Sequence, residues 1–471
     1  MTQNKYIQII IVLIFVILGI FIVTKWNVRV PETAPVCSDC NVIIIGADAL
    51  QAAHVSHLGY KNETTPTIDA LAKKGTSFSQ AISPAPWTVP AFMSIFTGLY
   101  PSEHKVVNKF SVFTKEKQVI SNLKELSPNA QTLADIFKAN GYATAGFTGD
   151  AGVSAQFGYN KGFDVYTDEK AFGSIENSSA HALPWIEKNK DNKLFIFLHG
   201  YDDHGQFDVP EKYKGRFMPA NYAGPYKGTK EEQRNLREKG LSDGKIDLTP
   251  DDVAFWRGWY DSKIRDADDR LAGFLEAYGR LGIKNKTIFV VVSDHGTEFY
   301  EHKRFDHGFS LYDELVRVPL VFVVPGLSGK GIISDQVTTL DVAPTLIDIV
   351  GITPSDQYRS QLRGKSVLSY LKTGKGEARD VFMETDYRDY THKRGIRTAD
   401  GWKYILTMET SKGELYNIKD DPKENNNVIE QYPEISLKLK QKVMDHLANM
   451  GQNVSGPWNI GCTPVYGDQC K

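Results

Sequence analysis

Between Asn41 and Gly46 (NVIIIG) the chain runs apolar without a break, the pattern of a strand buried on both faces rather than one with a wet side. Leu194 to Leu198 and Ile288 to Val292 repeat that pattern, each ending in a polar cluster. Around them the apolar positions recur every third or fourth residue instead. Pro66 to Lys74 predicts a helix, with proline near its first turn, Ile68, Leu71 and Ala72 on one face and Gly75 as a stop. Leu133 to Asn140, closed by Gly141, repeats the device, and Asp261 to Leu281 sets Ile264, Leu271, Leu275 and Tyr278 at helical spacing before Gly282. Strands alternating with helices predict an α/β fold, with a large, mostly parallel central sheet covered by helices on both faces.

Two stretches break this rhythm. Residues 205–249 are rich in Gly, Lys, Asp and Tyr with little periodicity, and are expected to form an insertion over the site. Further on, short strands around Gly401 to Ile405 and Glu414 to Asn417, then an amphipathic helix around Ile435 to Leu447, predict a smaller C-terminal α+β subdomain. The expected organisation is a principal domain over 41–375 and this subdomain over 376–471.

Tyr6 to Thr24 contains no charged residue. As a helix it would reach roughly 28 Å, about one hydrocarbon thickness. A single transmembrane helix over 6–24 is therefore expected, with a tip at 1–5 and a tether over 25–40. A cleaved signal peptide competes with this, but the run is long for one and Val23 to Trp26 offers no small-x-small cleavage site. Lys5 on one flank and Lys25 and Arg29 on the other leave the positive-inside count nearly balanced. Orientation then rests on the cysteines. Cys37 and Cys40 follow the tether, and Cys462 and Cys470 lie at the far end. Two disulfides, in any of three pairings, would place the domain on the non-cytosolic side of the membrane. A zinc site built from all four is the alternative, although the spacing of Cys462 and Cys470 is wide for one. The net charge of -2, from 55 basic against 57 acidic side chains, gives no electrostatic ground for a nucleic-acid partner.

Ligands gather at the carboxyl ends of strands in open parallel sheets. Asp48 follows the first run, Asp202, Asp203 and His204 the second, Asp294 and His295 the third. One such aspartate is ordinarily a cap or turn residue. Three clusters together point to a divalent ion, with Mn, Zn, Mg and Ca all compatible with carboxylates plus an imidazole.

With those positions in place, five segments in order resemble the sulfatase family of the alkaline phosphatase superfamily: NVIIIGADAL with TPTIDALAKKGTSF, SPAPWTVPAFMSIFTGLYPSEHKV, SDHGTEFYEHKRFDHGFSLYDELVRVPL, TTLDVAPTLIDIVGI and GELYNIKDDPKENNNV. The resemblance implies an alkaline phosphatase-like α/β sandwich and a site in which Asp48, Asp294 and His295 hold a metal together with the nucleophile, here Thr88. A threonine hydroxyl is a poor nucleophile at its own pKa, and metal coordination is one way to activate it. A helix starting near Pro90 would set Thr88 at its N-terminal edge, where the dipole favours an anion. Asp202, Asp203 and His204 would meet the substrate anion, and either His204 or His307 would protonate the leaving alkoxide. Alternatively, His204, His307 and an aspartate would hold a second metal. His302 is ranked as a supporting or exposed residue, Arg317 as a salt-bridge residue and Asp341 as a helix cap.

The chain also departs from the family. Sulfatases of this type carry Cys or Ser, converted to formylglycine, in a Cys/Ser-x-Pro-x-Arg motif; here Thr88 and Phe92 stand at the two outer positions. Threonine cannot yield the aldehyde. The family's Gly-Lys-Trp-His segment is replaced by Gly146 to Asp150 (GFTGD). These departures favour a phosphodiester or phosphomonoester, attacked by Thr88 to give a phospho-threonine, over a sulfate ester. Hydrolase and phosphotransferase both remain open, as do lipid, glycan and small-molecule substrates. Two alternatives stand beside this: a sulfuric ester hydrolase despite the absent Cys or Ser, and an inactive membrane-tethered binding protein.

Overall fold

The computed structural model describes residues 35–107, 111–113, 119–121, 126–204, 209–242, 246–388, 391–452 and 454. The expected anchor over 6–24, together with Cys462 and Cys470, lies outside the described residues. Among the described residues no helix is long and apolar enough to cross a membrane. The described residues from Val36 onward form one compact unit.

The central sheet holds β1 (Asn41–Ala47), β2 (Thr76–Ile82), β3 (Tyr142–Phe147), β4 (Val165–Thr167), β5 (Lys193–Gly200), β6 (Thr287–Ser293), β7 (Arg317–Val323), β8 (Gly331–Ile333) and β9 (Val337–Thr338). Their order is β8-β2-β7-β6-β1-β5-β3-β4, with β9 also on β2. All run parallel except β7, which is antiparallel to both β6 and β2, so the sheet is mixed. The three apolar runs are its centre. Along β1, Val42 and Ile44 join the core on one side while Ile43 and Ile45 join the core on the other, as the two-residue pleat requires. Register sets the site: Ala47 is level with Gly200 of β5 and with Ser293 of β6, so the next residues of three strands emerge at one edge.

The helices follow the sequence pattern with one extension. The helix read from Asp261 begins eleven residues earlier, at Pro250, and runs to Arg280, because Thr249 and Asp252 form a capping box there. The insertion is more regular than its periodicity suggested, since Lys230–Ser242 is a helix. The C-terminal subdomain is an antiparallel sheet of Val381–Tyr387, Thr391–Arg397, Trp402–Thr407 and Lys412–Asn417. Leu439, Val443 and Leu447 of the helix Pro433–Asn449 pack on Ile396, Tyr404 and Leu406 of that sheet. Cys37 and Cys40 are disulfide-bonded to each other, which removes the four-cysteine zinc site and the pairings that cross the chain.

Candidate active site

Thr88 is the first residue of the helix Thr88–Thr97 and is buried at the edge where β1, β5 and β6 end. Its Oγ1 lies 3.2 Å from Asp48 Oδ2 and 3.3 Å from His295 Nε2. Asp294 Oδ1 accepts hydrogen bonds from the backbone N–H groups of Ala49 (3.1 Å) and His295 (2.9 Å), which hold the carboxylate in place. His295 Nδ1 donates to the Gly296 carbonyl at 2.7 Å, so Nε2 keeps its lone pair and faces Thr88. Donor atoms of Asp48, Asp294 and His295 all lie within 4.8 Å of one another.

These residues fit a metal ion. Asp294 Oδ2 is buried and, among the described residues, accepts no hydrogen bond. Burial, and then the carboxylate of Asp48, push the Asp294 pKa up to about 6. Two buried carboxylates and a bare imidazole nitrogen form a hard donor set that is costly unless a cation sits among them.

A second cluster adjoins the first. Donor atoms of His204, Asp306 and His307 also lie within 4.8 Å of one another, and the His307 ring is 4.3 Å from that of His295 and 4.9 Å from that of His204. Asp306 pairs with His307 Nδ1, which leaves Nε2 as the nitrogen through which His307 exchanges a proton. Burial alone would raise the Asp306 pKa, yet His307, Arg237 and His204 hold it well below the usual carboxylate range. Arg237 comes from the helix Lys230–Ser242 and reaches Asp306 at 3.4 Å.

The remaining sequence candidates divide. Asp203 lines a cavity with Ala49, Lys263 and His307; burial, then Asp202 and Asp48, raise its pKa well above the ordinary value. Asp202 is committed to the scaffold, accepting from Ile175 N at 2.6 Å and facing Arg270 at 3.5 Å. Arg317 donates to the Ser79 carbonyl at 3.2 Å, and Asp341 accepts from Thr338 N at 3.0 Å and Lys365 N at 2.8 Å, both structural engagements. Phe92 packs edge-on against Phe197 and His199, so no charge stands at that position.

Three residues at the site were not read from the sequence. His199 on β5 has its Nε2 3.4 Å from Asp48 Oδ2, and burial pulls its pKa down to about 4. A histidine inside an apolar strand was the available signal. Lys263 is buried and donates to the His204 carbonyl at 3.1 Å. Tyr201 is buried with its hydroxyl 2.6 Å from Gly152 N.

Residues 40–352 match the family model described as Sulfatase, and residues 300–449 match that described as N-sulphoglucosamine sulphohydrolase, C-terminal. The chain belongs to the sulfatase family, within the alkaline phosphatase superfamily. Among curated relatives it is 23% identical to arylsulfatase K of Mus musculus, over 86% of this chain and 78% of that one. Among solved structures it resembles a protein in complex with its substrate D-glucosamine-2-N,6-O-disulfate (TM-score 0.69, 20% identity, 88% of this chain and 99% of that one). It also resembles the phosphonate monoester hydrolase of Agrobacterium radiobacter (TM-score 0.69, 21% identity, 87% and 96%). At these identities the likeness to solved structures speaks for the fold.

Proposed function

We propose that this protein is a metal-dependent hydrolase of anionic esters that acts on phosphorus rather than sulfur, with Thr88 as nucleophile. One observation carries this: an unconvertible threonine hydroxyl lies within 3.3 Å of both an Asp48 oxygen and the bare nitrogen of His295. A divalent ion held by Asp48, Asp294, His295 and Thr88 would lower the hydroxyl's pKa and offset charge on the ester. Asp48 accepts the Thr88 proton, Thr88 Oγ1 bonds to phosphorus, and the alcohol departs with a proton from His307 Nε2 or from His204. Asp306 orients His307 for that transfer; water then bonds to phosphorus, giving its proton to the same imidazole, while the bond to Thr88 Oγ1 breaks and Asp48 returns the threonine's proton. The second cluster serves here as acid and anion contact, with one metal in the first cluster. The run over 6–24 anchors the chain in a membrane, and the Cys37–Cys40 disulfide supports a non-cytosolic position for the domain.

Sulfate-ester hydrolysis is the second reading, favoured by the names of the relatives, arylsulfatases and a chain bound to a glucosamine disulfate. Purified protein assayed with a 4-nitrophenyl phosphodiester, the phosphomonoester and the matching aryl sulfate separates the two. Faster turnover of a phosphorus ester, lost in Thr88→Ala by at least about a thousandfold with metal content retained, is expected. The reverse preference would establish the sulfatase reading. Full activity in Thr88→Ala would remove Thr88 from the mechanism, and a metal-free protein inert towards all three esters would favour a binding role.

A further inference from the structure

Gly152 lies too close to the carbon side of Thr88 to carry a side chain. A methyl group built on it would lie 2.8 Å from Thr88 Cβ and Cγ2 and 2.8 Å from Tyr201 Oη. The phenol oxygen and the Cβ–Cγ2 side of Thr88 therefore flank Gly152 across a space too narrow for a methyl group. Tyr201 Oη accepts the Gly152 N–H at 2.6 Å, which fixes where that oxygen sits. Its ring is held from two sides, edge-on against Phe172 at 5.3 Å and against His199 at 4.7 Å. Among the described residues nothing accepts the phenol's own proton. A buried hydroxyl that takes one hydrogen bond and gives none is a donor waiting for an acceptor.

We propose that the Tyr201 hydroxyl donates a hydrogen bond to a non-bridging oxygen of the group being transferred to Thr88, held in place by the Gly152 N–H. This rests on Thr88 being the nucleophile. The bond from Thr88 Oγ1 to the central atom forms and the bond to the leaving alcohol breaks, while the phenol keeps its proton throughout. Negative charge gathers on the non-bridging oxygens in that step, and a fixed donor in a buried site acts there as an oxyanion-hole group does. Neither the leaving alcohol nor the metal residues are involved.

The test is Tyr201→Phe in the full-length, metal-loaded protein, with activity and orthovanadate affinity both expressed per bound metal. The expected result is a loss in kcat of about ten- to a hundredfold with KM within about twofold. The loss should be equal for activated and unactivated aryl leaving groups, and vanadate should bind at least about tenfold more weakly. Phe172→Leu, which loosens the same ring without removing the hydroxyl, should leave both readouts within about threefold. Unchanged kcat, unchanged vanadate affinity, a loss that grows with the leaving group's pKa, or equal losses in the two variants would each overturn the assignment. Thr88→Ala in parallel keeps the two inferences apart. If it is inactive while Tyr201→Phe is fully active, only the role of Tyr201 falls, whereas an active Thr88→Ala removes the mechanism beneath it.

Discussion

Asp48 and Asp294 bring carboxylate oxygens within 4.8 Å of each other at a depth where both side chains are fully buried. They arrive from different strands because β1 and β6 are level at their carboxyl ends. Such a pair is stable as two anions only when a cation shares the site.

Metal removal should therefore make stability depend on pH. In stripped protein Asp294 has a pKa of about 6, raised by burial and by Asp48, against an unfolded value near 3.8. The folded state then binds the proton more tightly, so the stabilisation is full below about pH 4 and is lost as pH rises through 6. Urea unfolding of chelator-treated protein is expected to show about 2–3 kcal/mol less stability at pH 8 than at pH 4 from this group. Added divalent metal should recover the deficit at pH 8 and do little at pH 4. A stripped protein equally stable across that range would mean the two carboxylates do not share a site.

Gly152→Ala should damage the site directly. The added carbon meets Thr88 and Tyr201 at 2.8 Å, and none of these groups is the loose end of a flexible chain. We expect about 1–3 kcal/mol of destabilisation from overpacking and a fall in kcat of about a hundredfold from displacement of Thr88. Wild-type kcat in this variant would show that the loop carrying Gly152 can retreat without disturbing the nucleophile.

Gly273 provides the opposite case. It lies inside the helix Pro250–Arg280, and a Cβ there would meet nothing within 4 Å. Gly273→Ala should raise stability by about 0.5–1 kcal/mol through helix propensity alone, with activity unchanged. Chemical denaturation checks this, and a destabilised variant would mean that the helix face is not open there.

How far the sequence was legible follows from the range of the interactions involved. The three apolar runs could be placed within a residue or two, because burial on both faces leaves its mark at every position of β1, β5 and β6. Asp48, Asp294 and His295 could be named because they lie within three residues of the ends of such runs and because the ordered motifs resemble a family whose metal is held at those positions. Antiparallel β7 was not legible, since strand direction is decided by partners far along the chain, Val292 facing Leu320 for example. Asp306 was missed as an individual because nothing local distinguishes an aspartate before a histidine; its partner Arg237 comes from a different element. Tyr201 and Gly152 were missed for a similar reason, since their importance lies in a contact across 49 residues. The insertion helix Lys230–Ser242 was hidden by its composition, being charged on most of its positions.

The join between the principal domain and the C-terminal subdomain should carry its own pH signature, through His302. Its Nδ1 is 2.5 Å from Glu314 Oε1, and its Nε2 donates to the Glu424 carbonyl at 3.1 Å, so both ring nitrogens bear protons and the ring is an imidazolium. Burial opposes that charge, but the hydrogen bond and attraction of Glu314 outweigh it and push the His302 pKa up to about 9. A histidine whose folded pKa lies above its unfolded value of 6.5 stabilises fully below pH 6.5, and the contribution disappears as pH rises through 9. Glu298 lies against the same pair, and burial followed by Glu314 pushes it up to about 8. It too weakens the fold as pH rises, so the wild-type curve alone would mix the two groups. The difference in unfolding free energy between wild type and His302→Gln isolates the imidazolium. That difference should be about 3 kcal/mol at pH 6 and fall towards zero by pH 10. A difference constant from pH 6 to pH 10 would mean that His302 contributes by packing on Tyr312, where the rings stack at 3.6 Å, and not by its charge.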